Sequence, residues 1–218
     1  MQGIFITLEG IDGSGKDTQA KMLAKYLEKK GYSVLITREP GGTSVGEKIR
    51  EILLNPEIEK VDSRAEVLLF AASRAQIVSN VIKPALKDGK IVISNRYIDS
   101  SYTYQGIARE MGLDWVIEVN EWATRELLPD ITFFLDIPEE VGLERVDRSR
   151  NIRDKIEKNG EIFQRKVREG YYKLAKMFPE RYRIIDSKRK ELLIHKDIRK
   201  EVDKFIKKNS KFSLKKKN

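Results

Sequence analysis

A glycine-rich segment near the start of the chain has the residue types and spacing of a phosphate-binding loop. Gly10 is followed by four residues and then by Gly15-Lys16, which is the spacing of a Walker A loop. Glycines there let backbone N–H groups turn towards phosphate oxygens, and Lys16 would reach the β- and γ-phosphates. The alternative is a turn that merely links a strand to a helix. The residues predicted to bind the triphosphate are Gly10, Ile11, Asp12, Gly13, Ser14, Gly15, Lys16, Asp17 and Thr18.

One position departs from the usual loop pattern. The residue after the lysine is normally Ser or Thr, whose hydroxyl binds Mg²⁺, but here it is Asp17. A carboxylate can ligate Mg²⁺ directly, because this ion favours oxygen ligands. It can equally repel the phosphates beside it. Thr18 is the next hydroxyl, but in a regular helix it points away from the loop.

The elements that must position this loop alternate along the chain. Short apolar runs without polar alternation predict strands buried on both faces, and longer amphipathic stretches between them predict helices. We therefore expect an α/β P-loop NTPase fold, a parallel five-stranded sheet flanked by helices, with a small lid. The predicted strands are Ile4–Glu9, 33–37, 91–94, Ile131–Asp136 and 183–185. The predicted helices are 16–30, 45–54, 63–87 with a kink or end at Pro84, 113–128, 139–147, 161–178 and Glu191–Lys208.

Composition restricts the class of protein. The 218 residues fit one domain, predicted to cover 1–206, and include no cysteine that could form a disulfide or a thiolate metal site. No apolar run approaches the length of a membrane span, and no leader peptide is evident, so a cytoplasmic protein without membrane contact is expected. The only histidine, His195, lies in a polar C-terminal segment and is expected at the surface.

The net charge of +9 could indicate a nucleic-acid binder, but its distribution argues against one. Six lysines and no acidic residue lie between Lys207 and Asn218, which predicts a solvated basic tail over 207–218. The rest of the chain carries a modest excess that phosphate-binding residues can explain. No nucleic-acid partner is therefore expected.

Four further sequence blocks follow the loop in a fixed order. They are REPGGT at 38–43, LFAASR at 69–74, NRYIDSS at 95–101 and YQG at 104–106. Together with the loop, they closely resemble bacterial thymidylate kinases over about residues 3–186. The resemblance implies transfer of the γ-phosphate of ATP to dTMP, giving dTDP for dTTP synthesis, with Mg²⁺ as the metal ion. It also implies a homodimer.

The resemblance also implies roles for individual residues in the dTMP site. Asp12 would bind the 3′-hydroxyl of the sugar, Tyr104 would crowd the 2′ position, and Phe70 would stack on thymine. Arg74 would bind O4 of the base, and Arg50 and Arg96 would hold the acceptor phosphate. By default, Phe70 would instead be core, Tyr104 would simply pack, and Arg50 and Arg74 would be surface residues. The full dTMP set is Asp12, Glu39, Arg50, Phe70, Arg74, Arg96, Ser101, Tyr104 and Gln105.

An arginine-rich stretch over about 147–160 lies where such kinases carry a mobile lid over ATP. The phosphate loop has no arginine at its variable positions, a pattern that in this family accompanies catalytic arginines supplied by the lid. Arg150 is the first candidate, followed by Arg148 and Arg153. Without the resemblance, a solvated basic loop would be the simpler interpretation. The predicted catalytic set is Lys16, Arg96, Arg150, Arg148 and Arg153.

Three positions depart from the family pattern. Asp17 replaces Ser/Thr, Asn95 replaces the aspartate that precedes Arg96, and Lys155 replaces an arginine of the lid. Asp17 as a direct ligand and Asn95 through water are the candidate Mg²⁺ residues, and we hypothesise that Asp17 partly replaces the charge lost at Asn95. The alternatives are another nucleoside monophosphate kinase, or a weakened or inactive homologue that still binds nucleotides.

Overall fold

The fold is built on five parallel strands, as the sequence predicts. In the computed structural model, residues 3–149, 155–156 and 160–209 are described. The strands lie in the order β2-β3-β1-β4-β5 and form one sheet. They are β1 (Ile4–Glu9), β2 (Val34–Arg38), β3 (Ile91–Asn95), β4 (Ile131–Asp136) and β5 (Tyr182–Asp186). The predicted bounds are confirmed for β1 and β4 and differ by one residue at the ends of the others.

Strand register explains why the sequence blocks meet. β1 lies at the centre, and Leu8 pairs with Asn95, which in turn pairs with Arg38 of β2. The carboxyl ends of these three parallel strands therefore lie side by side at one edge of the sheet. The segments that follow β1, β2 and β3 carry the phosphate loop and two of the other blocks, so the fold places them together.

Helices cover both faces of the sheet, and each face has its own apolar cluster. The predicted helices form, mostly within a residue or two of the expected bounds, together with one short helix that was not predicted, at Ile98–Ser101. They are α1 (Lys16–Lys29), α2 (Ser44–Leu54), α3 (Ser63–Ile77), α4 (Lys83–Lys87), α5 (Ile98–Ser101), α6 (Leu113–Thr124), α7 (Glu139–Ser149), α8 (Gly160–Met177) and α9 (Glu191–Lys208). The helix predicted over 113–128 ends early because Arg125 adopts a left-handed conformation (φ 51°).

A continuous helical stretch runs from α3 through a π-helical segment, Val78–Ile82, into α4. Pro84 does not end it: the proline lies just after the π-helical segment, and the chain continues as α4. By length and composition Ser63–Lys87 would be long and apolar enough to cross a membrane, contrary to the expectation from the sequence. Half of the most apolar 18-residue part of this stretch is buried inside the protein, as in the core helix of a globular fold.

The main element that the sequence did not predict follows β3. α5 continues into a π-helical segment, Tyr102–Ala108, whose Thr, Tyr and Gly residues have modest helix propensity. This segment is almost entirely buried and packs against α6 and α8. π-Helical turns are often found at functional sites, and this one carries two of the predicted dTMP residues, Tyr104 and Gln105.

The prediction for His195 was wrong. The side chain is buried between α9 and α1, where its ring meets the edge of Tyr26 at a centroid distance of 6.0 Å. Burial, together with the charge of Arg199, lowers the pKa of His195. α9 is amphipathic, and its apolar side covers the sheet, which explains why a residue in a polar stretch lies inside.

Candidate active site

The phosphate loop lies between β1 and α1 and is shaped by glycines in left-handed conformations. Gly10, Gly13 and Gly15 have φ values of 142°, 75° and 90°. A Cβ atom at Gly13 would lie 2.1 Å from the carbonyl oxygen of Gly142 in α7, so no larger residue fits there. Within the described residues, no side chain caps the N-terminus of α1. The loop therefore presents an open helix N-terminus, which attracts anions.

Lys16 folds back into its own loop. Its Nζ donates hydrogen bonds to the carbonyl oxygens of Gly10 (3.0 Å) and Ile11 (2.8 Å) and to Oγ of Ser14 (3.2 Å). Burial, and then the positive charge of Arg96, lower the pKa of Lys16 to about 7. A bound polyphosphate would supply the missing negative charge and stabilise the ammonium form.

Asp17 and Asn95, two of the residues that depart from the family pattern, are in contact. Nδ2 of Asn95 donates a hydrogen bond of 2.7 Å to Oδ1 of Asp17. Oδ1 of Asn95 is buried and accepts no hydrogen bond from the described residues. The carboxylate of Asp17 and the amide of Asn95 thus lie together beside the phosphate loop.

Arg96 connects the phosphate loop to the segment after β3. It has a positive φ of 72°, and it donates hydrogen bonds to Oδ1 of Asp12 (2.6 Å), to the hydroxyl of Tyr104 (3.1 Å) and to Oγ of Ser100 (3.0 Å). Burial alone would raise the pKa of Asp12, but the charges of Arg96 and Lys16 outweigh it and hold the pKa below its usual value. Asp12 therefore remains an acceptor at neutral pH.

Glu9, the last residue of β1, binds the segment that follows β3. Its carboxylate accepts hydrogen bonds from the backbone N–H of Tyr97 (2.7 Å), from Oγ of Ser100 (2.6 Å) and from the hydroxyl of Tyr171 (2.8 Å). Burial, followed by the charge of Asp99, raises the pKa of Glu9 to about 7. These bonds fix the backbone immediately after Arg96.

Arg74 is fully buried at the other end of the site, not at the surface. Its Nε donates to Oε2 of Glu39 (2.6 Å), and Nη1 donates to Oγ of Ser101 (2.9 Å) and to Oδ1 of Asn120. Nη2 donates to the carbonyl oxygen of Tyr97 (3.1 Å). Four of the five N–H groups of a guanidinium are thus engaged. Burial, opposed by Arg74, raises the pKa of Glu39 to about 7.

A single cavity of about 690 Å³ joins the two ends. The phosphate loop contributes Lys16 and its neighbours, and the opposite end is lined by Phe70 and Arg74. The other predicted dTMP residues also line it. These are Asp12, Glu39, Arg50, Arg96, Ser101, Tyr104 and Gln105. Gly10 and Ile11 do not line the cavity but accept the hydrogen bonds of Lys16.

The comparisons with known proteins agree with this arrangement. The sequence model described as "Thymidylate kinase" matches residues 8–198. The chain belongs to the thymidylate kinase family. It is 50% identical over 207 residues to a thymidylate kinase of Caldanaerobacter subterraneus subsp. tengcongensis, covering 95% of this chain and 98% of that protein. It is 48% identical over 206 residues to one of Thermoanaerobacter sp. (strain X514), covering 94% and 100%.

A solved structure gives the same result for the fold. The crystal structure of thymidylate kinase from Ehrlichia chaffeensis superposes on this chain with a TM-score of 0.73. The two sequences are 34% identical, and the match covers 93% of this chain and 99% of the other. The P-loop fold expected from the sequence is therefore confirmed.

The structure describes only some of the residues predicted for the lid of this thymidylate kinase family member. Arg150 and Arg153 lie outside the described residues. Arg148, in the last turn of α7, is exposed, pairs with Glu144, and does not line the cavity. Nζ of Lys155 donates hydrogen bonds to the carbonyl oxygens of Ile52 (3.2 Å) and Glu59 (2.9 Å), at the end of α2 and just beyond it. The roles proposed for these arginines stay predictions.

Sequence reasoning missed several residues that hold the site. Glu9 and Asn120 are brought in by contacts between distant parts of the chain, which no local pattern reveals. Glu66 was detectable, because it lies four residues before Phe70 and eight before Arg74 and so shares their helix face. Arg145 of α7 also lines the cavity and donates hydrogen bonds to the carbonyl oxygens of Gly13 (3.4 Å) and Ser187 (3.3 Å).

Proposed function

We propose that the protein transfers the γ-phosphate of ATP to dTMP, giving ADP and dTDP. The observation that carries this proposal is the single cavity with a phosphate loop at one end and Phe70 and Arg74 at the other. Two nucleotides that enter from opposite ends would meet with their phosphates between Lys16 and Arg96. Family membership over nearly the whole chain supports the same reaction.

The reaction needs positioning and charge neutralisation more than covalent chemistry. An oxygen of the dTMP phosphate attacks the γ-phosphorus as the bond to the β-phosphate oxygen breaks, and ADP leaves. Lys16 binds the β- and γ-phosphates, and Arg96 binds the acceptor phosphate and the passing group. Asp12 holds Arg96 and accepts a hydrogen bond from the 3′-hydroxyl. Arg50, whose Nη1 donates to the carbonyl oxygen of Pro40 (3.0 Å), binds the acceptor phosphate from the other side.

At the base end, Phe70 supplies an aromatic face, and Tyr104 fills the space beside the sugar. Arg74 donates its remaining N–H to O4 of thymine, while Glu39 and Ser101 hold the guanidinium in place. Tyr104 is itself fixed by Arg96 and by an edge contact with Phe163 at a centroid distance of 6.0 Å. A 2′-hydroxyl would crowd this tyrosine, so deoxyribose is favoured.

We further propose Mg²⁺ as the metal ion. Among the described residues, no group of three or more His, Asp or Glu side chains could hold a metal alone. The donor set of Asp17 and Asn95 suits Mg²⁺, which is commonly bound by one or two protein oxygens, phosphates and water. The buried, unpaired Oδ1 of Asn95 is the observation that supports this. When bound, the ion would neutralise charge on the β- and γ-phosphates.

The contact between Asp17 and Asn95 gives the compensation hypothesis a direct test. The variants Asp17→Thr and Asn95→Asp, single and combined, are compared by Mn²⁺ affinity in the presence of ATP, by paramagnetic resonance, and by Mg²⁺ dependence of turnover. Each single variant should alter metal affinity, and the double variant should restore it. Additive, independent effects would contradict compensation.

The proposed architecture is one kinase domain over 1–206, with a lid over about 147–160 and a basic tail over 207–218. Lys207 and Lys208 end α9, and residues 210–218 lie outside the described part of the chain. The lid would supply Arg148, Arg150 or Arg153 to the transferred phosphate and exclude water. Replacing each by Met, one at a time, should identify the arginine whose loss lowers kcat most.

We also propose a homodimer. α3 and α6 pack against each other, and each leaves a large apolar side chain in solvent: Leu68 is 55% exposed and Trp122 is 82% exposed. Such side chains often mark an interface. Light scattering should give a dimer mass for the native protein and a monomer mass for Trp122→Glu. The cellular expectations of a cytoplasmic enzyme without nucleic-acid or membrane partners stay part of the proposal.

An assay of product formation tests the main proposal. The protein is incubated with ATP, Mg²⁺ and each of dTMP, dUMP, dCMP, dAMP and dGMP, and nucleoside diphosphates are separated by chromatography. We expect dTDP formation at a kcat/KM far above that for dCMP and the purine nucleotides. Nucleotide binding without dTDP formation would support a silent homologue. Equal use of several monophosphates would support a broader monophosphate kinase.

A further inference from the structure

Three polar side chains form a small network behind the base end of the cavity. Oε1 of Glu66 in α3 accepts hydrogen bonds from Nε2 of Gln105 (2.7 Å) and from Nε of Arg109 (2.8 Å). Glu66 and Gln105 are buried, and Arg109 lies over the ring of Phe163 at 5.3 Å. The network is therefore held on three sides by packed elements.

The chemistry of this network fixes the orientation of one amide. A carboxylate paired with a guanidinium only accepts hydrogen bonds. The NH₂ end of Gln105 must therefore face Glu66, and its carbonyl oxygen must face the other way. This Oε1 atom accepts no hydrogen bond in the described part of the chain, and Gln105 lines the cavity. The site consequently offers an acceptor to a ligand.

We infer that Glu66 is a specificity-determining positioning residue, which selects pyrimidines with a hydrogen at N3 by fixing the Gln105 amide. The inference rests on the proposed function. Thymine and uracil carry a donor at N3 and an acceptor at O4. The carbonyl oxygen of Gln105 and the remaining N–H of Arg74 are the complementary acceptor and donor. Cytosine presents the reverse pattern, with an acceptor at N3 and a donor at the 4-amino group.

Loss of the fixed orientation should weaken this discrimination. In Glu66→Gln, the new amide can accept or donate, so Gln105 is free to turn its NH₂ end towards the cavity and bind N3 of cytosine. The mispaired buried hydrogen bonds that disfavour cytosine in the native pocket would then be partly relieved. The ratio of kcat/KM for dTMP to that for dCMP should therefore fall roughly 10- to 100-fold.

The experiment compares Glu66→Gln with a matched variant, Glu169→Gln, which removes the same charge from an exposed position of α8. Both proteins are assayed with dTMP and dCMP at saturating ATP, and the KM for ATP is measured. We expect Glu66→Gln to show a higher KM for dTMP, a gain in kcat/KM for dCMP, and an unchanged KM for ATP. Glu169→Gln should retain the native ratio.

The double variant Glu66→Met/Arg109→Met is a second test that removes both partners of the ion pair, so that neither charge is left unpaired. Without the carboxylate, the Gln105 amide is free to turn, and the dTMP-to-dCMP ratio should fall in the same direction. It also keeps the test decisive if Glu66→Gln does not fold. A ratio within about 2-fold of native in either folded variant overturns the inference. Failure of the native protein to phosphorylate dTMP would instead refute the proposed function.

Discussion

Replacement of Arg74 by Met should strongly destabilise the protein even without nucleotide. The guanidinium is buried, pairs with the buried carboxylate of Glu39, and donates three further hydrogen bonds. Removal of one partner from a buried ion pair costs about 3–5 kcal/mol, because the other charge is left unpaired. For a domain of this size, this corresponds to a fall in Tm of roughly 6–20 °C.

The loss should depend on pH and on Glu39. Burial raises the pKa of Glu39 to about 7 in the native state. Between its ordinary pKa and about 7, the folded state retains a proton that the unfolded state has lost, so this group's contribution to stability falls as pH rises through 7. At pH 8 the carboxylate needs Arg74, whereas well below 7 it is neutral. The cost of Arg74→Met should therefore be smaller at low pH.

Urea unfolding at pH 8 and pH 6 measures this effect, with Glu39→Gln and the double variant completing the cycle. The double variant should recover about 1–3 kcal/mol of the loss but not the affinity for dTMP. Arg64→Met, on the same helix, removes an exposed arginine paired with Asp62 and should cost less than about 1 kcal/mol. The reasoning fails if Arg74→Met costs no more than Arg64→Met at pH 8, or if Glu39→Gln restores nothing.

Three further predictions concern the phosphate loop and Glu9, the residue that precedes it. Lys16→Met should lower kcat for dTDP formation by about 10²- to 10³-fold and leave dTMP affinity in a calorimetric titration unchanged. Gly13→Ala should lower the free energy of unfolding in urea by about 1–3 kcal/mol, because its Cβ meets the carbonyl oxygen of Gly142. The control is Gly31→Ala, which has φ 85° and no atom within 4 Å of its Cβ and should cost less. Equal costs would contradict the clash. In Glu9→Gln, the loss of stability that the native protein shows between pH 5 and pH 8 should be smaller. The raised pKa of Glu9 makes its protonated form the one favoured by folding, and Gln does not titrate; an unaltered pH profile would refute this.

Much of the fold could be predicted from the sequence because its three central strands, β1, β3 and β4, are buried on both faces, whereas the edge strands β2 and β5 are partly exposed. The composition of apolar runs such as Ile4–Glu9 and Ile131–Asp136 favours both strand formation and burial in the core. The segment 98–108 was missed because its residues have no helical periodicity or high helix propensity. It becomes helical through packing against α6 and α8.

The candidate site also has one part that could be predicted from the sequence and another that could not. The phosphate loop is a local motif, so its position could be derived from spacing alone. The base pocket required the family resemblance, since Arg74 lies in an apolar helix, and nothing local indicates that Glu39 and Asn120 pair with it. Glu9 and Tyr97 are 88 residues apart in the sequence, and the parallel pairing of β1 with β3 brings them together.

The central claim is that donor and acceptor nucleotides occupy two ends of one cavity. Titration with adenosine and thymidine joined 5′ to 5′ through five phosphates tests this most directly. We predict one molecule bound per chain, displaced by ATP and by dTMP, with affinity lost in both Lys16→Met and Arg74→Met. Two molecules bound per chain, or displacement by only one of the two nucleotides, would contradict the account.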